Sequence, residues 1–165
     1  MANVNTDLVA NFVAVPQVLN SASQLHGVKR VATGTIALAA GDLSANDTVM
    51  LAPIPSNASI TSIKLFNDDL DSGTTLTTDV GIYTTAVAVV DADAYASAIT
   101  DLRGAVKTGT EVAFEARDIN KMGQKVWQDA GLTSDSALTY FVGISFPAAG
   151  DTAGDLSFVI EYIVS

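Results

Sequence analysis

Hydrophobic and polar positions alternate along much of this chain with a period of two, which marks strands rather than helices. The clearest case is "LTTDVGIYT" at 76–84, where Leu76, Val80 and Ile82 fall on one face and Thr77, Asp79 and Gly81 on the other. Runs rich in β-branched and apolar residues at 31–38, 48–54 and 59–66 read the same way. The run at 48–54 stops at its prolines, because Pro53 and Pro55 suit no central strand. The strongest strands are "LTYFVGISF" (138–146) and "LSFVIEYIV" (156–164). The last is apolar on nearly both faces, as a covered central strand would be. The turn-rich "PAAGDTAGD" between them predicts an antiparallel hairpin.

Two stretches break the alternation and read as helices. In "DADAYASAITDLRG" (91–104), Tyr95, Ile99 and Leu102 recur at i, i+4 and i+7, Asp91 or Asp93 can cap the start, and Gly104 closes it. In "DINKMGQKVWQDAG" (118–131), Asp118 offers a cap and Met122, Val126 and Trp127 share a side. Gly123 weakens its middle by about 1 kcal/mol relative to Ala, so only the second half is expected to be regular. Together these elements predict a mainly β fold: an antiparallel β-sandwich, jelly-roll-like, with one or two short helices over 28–165.

Residues 1–27 differ. They are polar with scattered apolar residues, interrupted by Pro16 and ended by Gly27. Val4, Leu8, Phe12 and Val15 can line a short helix or anchor an extended arm. Pro16 and the Asn-Ser-Ala-Ser run after it favour the arm, with these four as its contacts to a partner, or else as the residues that fold it back onto its own domain.

Composition narrows the function. The 165 residues are 48% hydrophobic and only 16% charged, which suits either a surface partly covered by a partner or by copies of itself, or a solvent face built from Thr, Ser, Ala and Asn. A net charge of −10 argues against gripping nucleic acid, which leans on clustered Lys and Arg. No apolar run approaches the ~20 residues of a membrane span, and no signal peptide shows at the N-terminus, so synthesis in a cytoplasm is expected.

Candidate chemistry is thin. There is no cysteine, and His26 is the only histidine, placed at the arm–domain junction. No G-x-S-x-G elbow surrounds a serine and no phosphate-binding glycine loop occurs. Glu111 and Glu115 could pair as in a glycosidase, but with Val112 and Phe114 between them they read as the alternation of a half-buried strand. Trp127 with Tyr95 or Tyr140 could form a sugar platform, although an amphipathic Trp is more often core. Neither a cofactor nor an active site is expected.

Several segments in order, "LHGVKRVATGTIALAAGD", "DTVMLAPIPSNASITSIKLFNDDLDSGTTLTTDVGIY", "GQKVWQDAGLTSD" and "YFVGISFPAAGDTAGDLSFVIEY", resemble a family of small virion structural proteins of tailed bacteriophages. The likeness spans about residues 25–163 and lies in glycines and apolar residues rather than in catalytic ones. It implies a non-enzymatic capsid decoration, or cement, protein with a β-sandwich fold. Such a protein would bind the outside of the head, with the major capsid protein and its own copies as partners. The rival readings are a tail, head-fibre or receptor-binding part of the virion, or a calcium-dependent carbohydrate-binding sandwich.

One stretch bears on that last rival. "NDDLDSG" (67–73) sets Asn67, Asp69 and Asp71 at alternate positions, as in a calcium loop. On an EF-hand frame beginning at Asn67, however, the glycine position falls on Ser72 and the closing Glu on Thr78. The stretch therefore reads as a strand connection in which Asn and Asp bond their own backbone, with a weak cation site as the lesser reading.

Overall fold

The computed structural model describes residues 4–22 and 24–164. Eight strands form two four-stranded sheets: β1 (Lys29–Leu38), β2 (Thr48–Pro55), β3 (Ala58–Asn67), β4 (Thr77–Tyr83), β5 (Val89–Ile99), β6 (Val106–Glu111), β7 (Thr139–Ala148) and β8 (Gly154–Val164). One sheet runs β1-β8-β3-β6 and the other β2-β7-β4-β5, all antiparallel. The pairings nest: first strand with last, second with seventh, third with sixth, fourth with fifth. A nested hairpin of this kind, rolled so that β8 also meets β3 and β7 also meets β4, is the jelly-roll form of the sandwich. The six strands read at 31–38, 48–54, 59–66, 76–84, 138–146 and 156–164 are all present.

The core lies between the sheets, where the inner faces interdigitate. Ile60, Ile63 and Leu65 of β3 and Leu156 and Ile160 of β8 meet Val80 and Ile82 of β4 and Val142, Ile144 and Phe146 of β7, all buried. β8 is a central strand, as its two-sided apolar character requires. β2 lies at an edge, where Pro53 and Pro55 cost few ladder hydrogen bonds.

Four local expectations are corrected. The hairpin between 138–146 and 156–164 does not form, because β7 and β8 lie in opposite sheets and their linker crosses the sandwich. The stretch 91–104 is not a helix. It is strand β5 followed by a 3-10 turn at Asp101–Arg103. Register shifts against β4 and a left-handed Ala98 (φ 51°) let β5 bury Tyr95, Ala96 and Ile99, and the turn then buries Leu102. A bulged strand thus imitates the i, i+4, i+7 spacing. The alternation across 111–115 also fails, since β6 ends at Glu111 and Val112 and Ala113 are buried side by side. Finally, the N-terminal segment is not extended throughout, because Asp7–Val13 forms a helix, α1.

In 118–131 the regular part is the second half. A 3-10 turn at Ile119–Lys121 is capped by Asp118, which accepts from Asn120 N–H, and one helical turn, α2 (Val126–Asp129), follows. Gly123 between them holds φ 86°, a left-handed conformation that breaks the run.

Candidate functional site

Two candidate regions flank β3. The acidic loop 67–73 leaves its C-terminal end, and α1 lies beside its N-terminal end. Ten residues of strand separate them by roughly 30 Å.

In the loop, the side chains of Asn67, Asp69 and Asp71 turn to the backbone. Asn67, buried at the end of β3, donates from Nδ2 to the carbonyls of Asp68 (2.7 Å) and Gly104 (2.8 Å). The Asp71 carboxylate is also buried and accepts from the N–H groups of Leu76 (2.8 Å), Thr75 (2.8 Å) and Gly73 (3.2 Å). Those donors, led by Leu76 N–H, hold its pKa below the ordinary carboxylate value. Asp69 is exposed and accepts from Asp71 N–H at 3.2 Å. Asn67, Asp69 and Asp71 thus serve three different local bonds. Among the described residues no group of three or more His, Cys, Asp or Glu surrounds a common point.

The loop is also tied to its neighbours. Asp151 accepts from Ser72 N–H and Oγ, both at 2.7 Å, and Asp68 pairs with Lys107 and accepts from Asp155 N–H. Asp151 and Asp68 are both shifted down in pKa, Asp151 chiefly by Ser72 and Asp68 chiefly by Lys107. Thr75 Oγ1 donates to Ala149 O (3.1 Å), and Gly150 N–H reaches Leu43 O (3.0 Å). This end of the sandwich is a hydrogen-bonded knot.

The other end has a different character. Thr6 O accepts from Val9 and Ala10 N–H at the start of α1. Asn20 then folds the chain back, accepting from Asn11 Nδ2 (2.9 Å) and donating to Leu8 O (3.0 Å). Leu8 is half-buried and helps line a cleft of about 470 Å³ with Asn11, Ser59, Met122 and Ile163. Val4, Phe12 and Val15 point to solvent at 95%, 67% and 97% exposure. The four apolar residues named from the sequence are therefore divided: one faces the sandwich, three face outward. Val9, Val13, Val18, Leu19, Leu25 and Val28 join the outward set, so about half of the exposed large hydrophobic residues among the described ones lie between positions 4 and 28. His26 is exposed in the same stretch with φ 69°.

A third cluster carried no sequence signal. Arg117 and Asp129 form an ion pair at 2.9 Å with side chains only 1% and 3% exposed. Arg117 donates to the carbonyls of Ile60 (3.2 Å) and Gln124 (3.3 Å), and its guanidinium lies 5.0 Å from the Phe114 ring centre and 5.7 Å from that of Tyr95. Tyr95 donates to Asp129 at 3.4 Å. Burial pushes the Asp129 pKa up, against the opposing charge of Arg117, and pushes the Tyr95 phenol well up. The cluster pins the 112–131 excursion to β3 and β5. With Tyr95 and Tyr140 buried and Trp127 half-buried, these rings present no open platform. Glu111 and Glu115 accept backbone N–H groups, from Ile63 (2.9 Å) and Ser97 (2.8 Å) respectively.

No family model matches the chain, and no curated protein matches it. Its fold does match solved structures. A chain in the capsid of Ralstonia phage GP4 superposes with a TM-score of 0.61 at 20% identity, over 84% of this chain and 86% of that one. A chain in the capsid asymmetric unit of cyanophage Pam1 gives 0.56, also at 20% identity and the same coverage. What is shared at that identity is the fold.

Proposed function

We propose that this chain is a structural protein of a phage virion, and within it a decoration protein that binds the outside of the head and strengthens contacts between major capsid protein subunits. The observation that carries the reading is the shared jelly roll with chains of two phage capsids over 84% of this chain. The exposed apolar side chains gathered between positions 4 and 28 support it, because they suit contact with another protein. In this reading 1–27 is the docking segment and 28–165 the body, with Val4, Phe12 and Val15 meeting the shell.

The role is mechanical rather than enzymatic. A protein that binds the assembled shell and not free subunits stabilises assembly by mass action. Many equivalent sites on a symmetric shell turn modest single contacts into firm attachment. The chain's net charge of −10 argues against binding nucleic acid, and no helix among the described residues is long and apolar enough to cross a membrane. The loop at 67–73 is a structural connection here rather than a metal site.

The test is co-sedimentation with empty, expanded heads of the phage that encodes the chain. Wild type is expected to saturate the heads in copies comparable to the capsid protein, and Phe12→Asp with Val15→Asp to remain in the supernatant while melting as wild type does. Failure to bind heads, together with binding to tails or to glycans in calcium, would overturn the assignment.

A further inference from the structure

A jelly roll leaves four sheet edges, and three of them here are guarded against pairing with another chain. β2 carries Pro53, Pro55 and a bulge between Met50 and Ala52. β5 is broken by repeated register shifts and carries Asp91 and Asp93. β6 is only six residues long and carries Lys107. These are the ordinary devices that stop strands adding to an edge.

β1 has none of them past its first two residues. It runs ten residues in unbroken register against β8, from Lys29 opposite Ile163 to Leu38 opposite Gly154. It holds no proline and no charge after Arg30. Val31 and Ile36 on it are 54% and 37% exposed. Such a strand offers its outward N–H and C=O groups as a template for another strand.

The charges along β1 say which strand fits. Arg30, near its start, is exposed, and its side chain makes no ion pair among the described residues. Past its end lies a groove of about 600 Å³ lined by Ile36, Leu38, Asp42 and Asp47. Strand alternation puts Arg30, Ile36 and Leu38 on the same, inner face, since Arg30 lies opposite Tyr162 and Ile36 opposite Leu156. The strand is therefore basic at one end and acidic at the other. Two copies meeting edge to edge about a two-fold axis run antiparallel, and that axis keeps inner faces on the same side. With the axis at Thr33 or Gly34, Arg30 of each copy falls opposite Ile36 or Leu38 of the other, at the mouth of the acidic groove.

We infer that β1 pairs antiparallel with β1 of a second copy, joining two four-stranded sheets into one of eight strands, with Arg30 of each copy seated in the Asp42–Asp47 groove of the other. This pairing does not depend on capsid binding. It is tested on the isolated full chain, so its failure leaves the head-binding assay unaffected.

The experiment is a mass measurement by sedimentation equilibrium on wild type, R30D, D42R, T33K and an equimolar mixture of R30D and D42R. Wild type is expected at twice the 17.0 kDa chain mass. R30D and D42R alone each set like charges across the axis and should be single chains. In the mixture, the carboxylate introduced by R30D meets the guanidinium introduced by D42R at one contact. The other contact keeps the native pairing of Arg30 with Asp42, so the dimer should return. T33K places like charges at the axis without touching the Asp42 bond to Ala39 N–H, and should also give single chains. A wild type that stays a single chain, an assembly unmoved by R30D and T33K, or a mixture that fails to re-form the dimer would each overturn the inference.

Discussion

Replacing Arg117 by methionine leaves the Asp129 carboxylate buried without its ion-pair partner, with only the more distant charge of Lys121 still acting on it. Methionine fills much of the space between Phe114 and Tyr95, so the loss is chiefly electrostatic. Breaking a buried pair by removing one partner costs about 3–5 kcal/mol. For a chain of this size each kcal/mol moves the Tm by about 2–4 °C, so R117M should melt roughly 6–20 °C lower near neutral pH. The deficit should depend on pH in a definite direction. Burial already raises the Asp129 pKa in the wild type, and without Arg117 it rises further. Between the unfolded value and that raised native value, the folded state holds the proton and the unfolded state does not. Stability of R117M therefore falls as pH rises through that window, by up to about 1.4 kcal/mol per pH unit, and levels off above it. Urea melts at several pH values between 4 and 8 read this directly. The double variant R117M/D129L removes both charges and should recover most of the loss. A deficit under about 1 kcal/mol near pH 7.5, below the range for a broken buried pair, would refute the reasoning. So would a deficit that does not change with pH, or a double variant no better than R117M.

Other outcomes follow from the backbone and the loops. Gly81→Ala would drive a methyl group into the backbone of Asp91 and Ala92, so its cost should reach or pass the ~3 kcal/mol upper end of overpacking, read as a lower urea midpoint with unchanged slope. Asp68, Asp71, Asp135 and Asp151 all have lowered pKa values, so their stabilisation is complete above the unfolded carboxylate value and is lost as pH falls through the native ones. Asp71→Asn should lower the Tm at pH 7, and the gap to wild type should close in strong acid. Calcium at millimolar concentration should leave the Tm where it is, whereas a rise that D71N abolishes would show a cation site at 67–73.

The strands were legible where side-chain chemistry alone decides them. β3, β4 and β8 alternate or carry β-branched runs, and no tertiary partner is needed to read them. β5 was hidden because alanine is at home in helices, and only the bulged fit to β4 makes Tyr95 and Ile99 strand residues. The false hairpin came from the usual expectation that neighbouring strands pair, which a nested topology defeats. Val4, Leu8, Phe12 and Val15 read alike as apolar contacts of the N-terminal segment, but which of them turns inward depends on the cleft beneath α1, which takes Leu8. Arg117 and Asp129 stand twelve residues apart with an irregular segment between them, and nothing in either residue announces the other. Their pairing belongs to the packed state alone.

The pairing of first strand with last also sets a timetable. During synthesis β1 emerges early, yet its partner β8 leaves the ribosome more than a hundred residues later, roughly 6–20 s at ordinary elongation rates. For that interval β1 shows two bare edges instead of one, on nascent chains that a polysome holds close together. Slower translation or a longer 38–154 insertion lengthens the exposure without altering a single native contact. The yield of soluble protein should then track the speed of the ribosome as well as the stability of the finished sandwich.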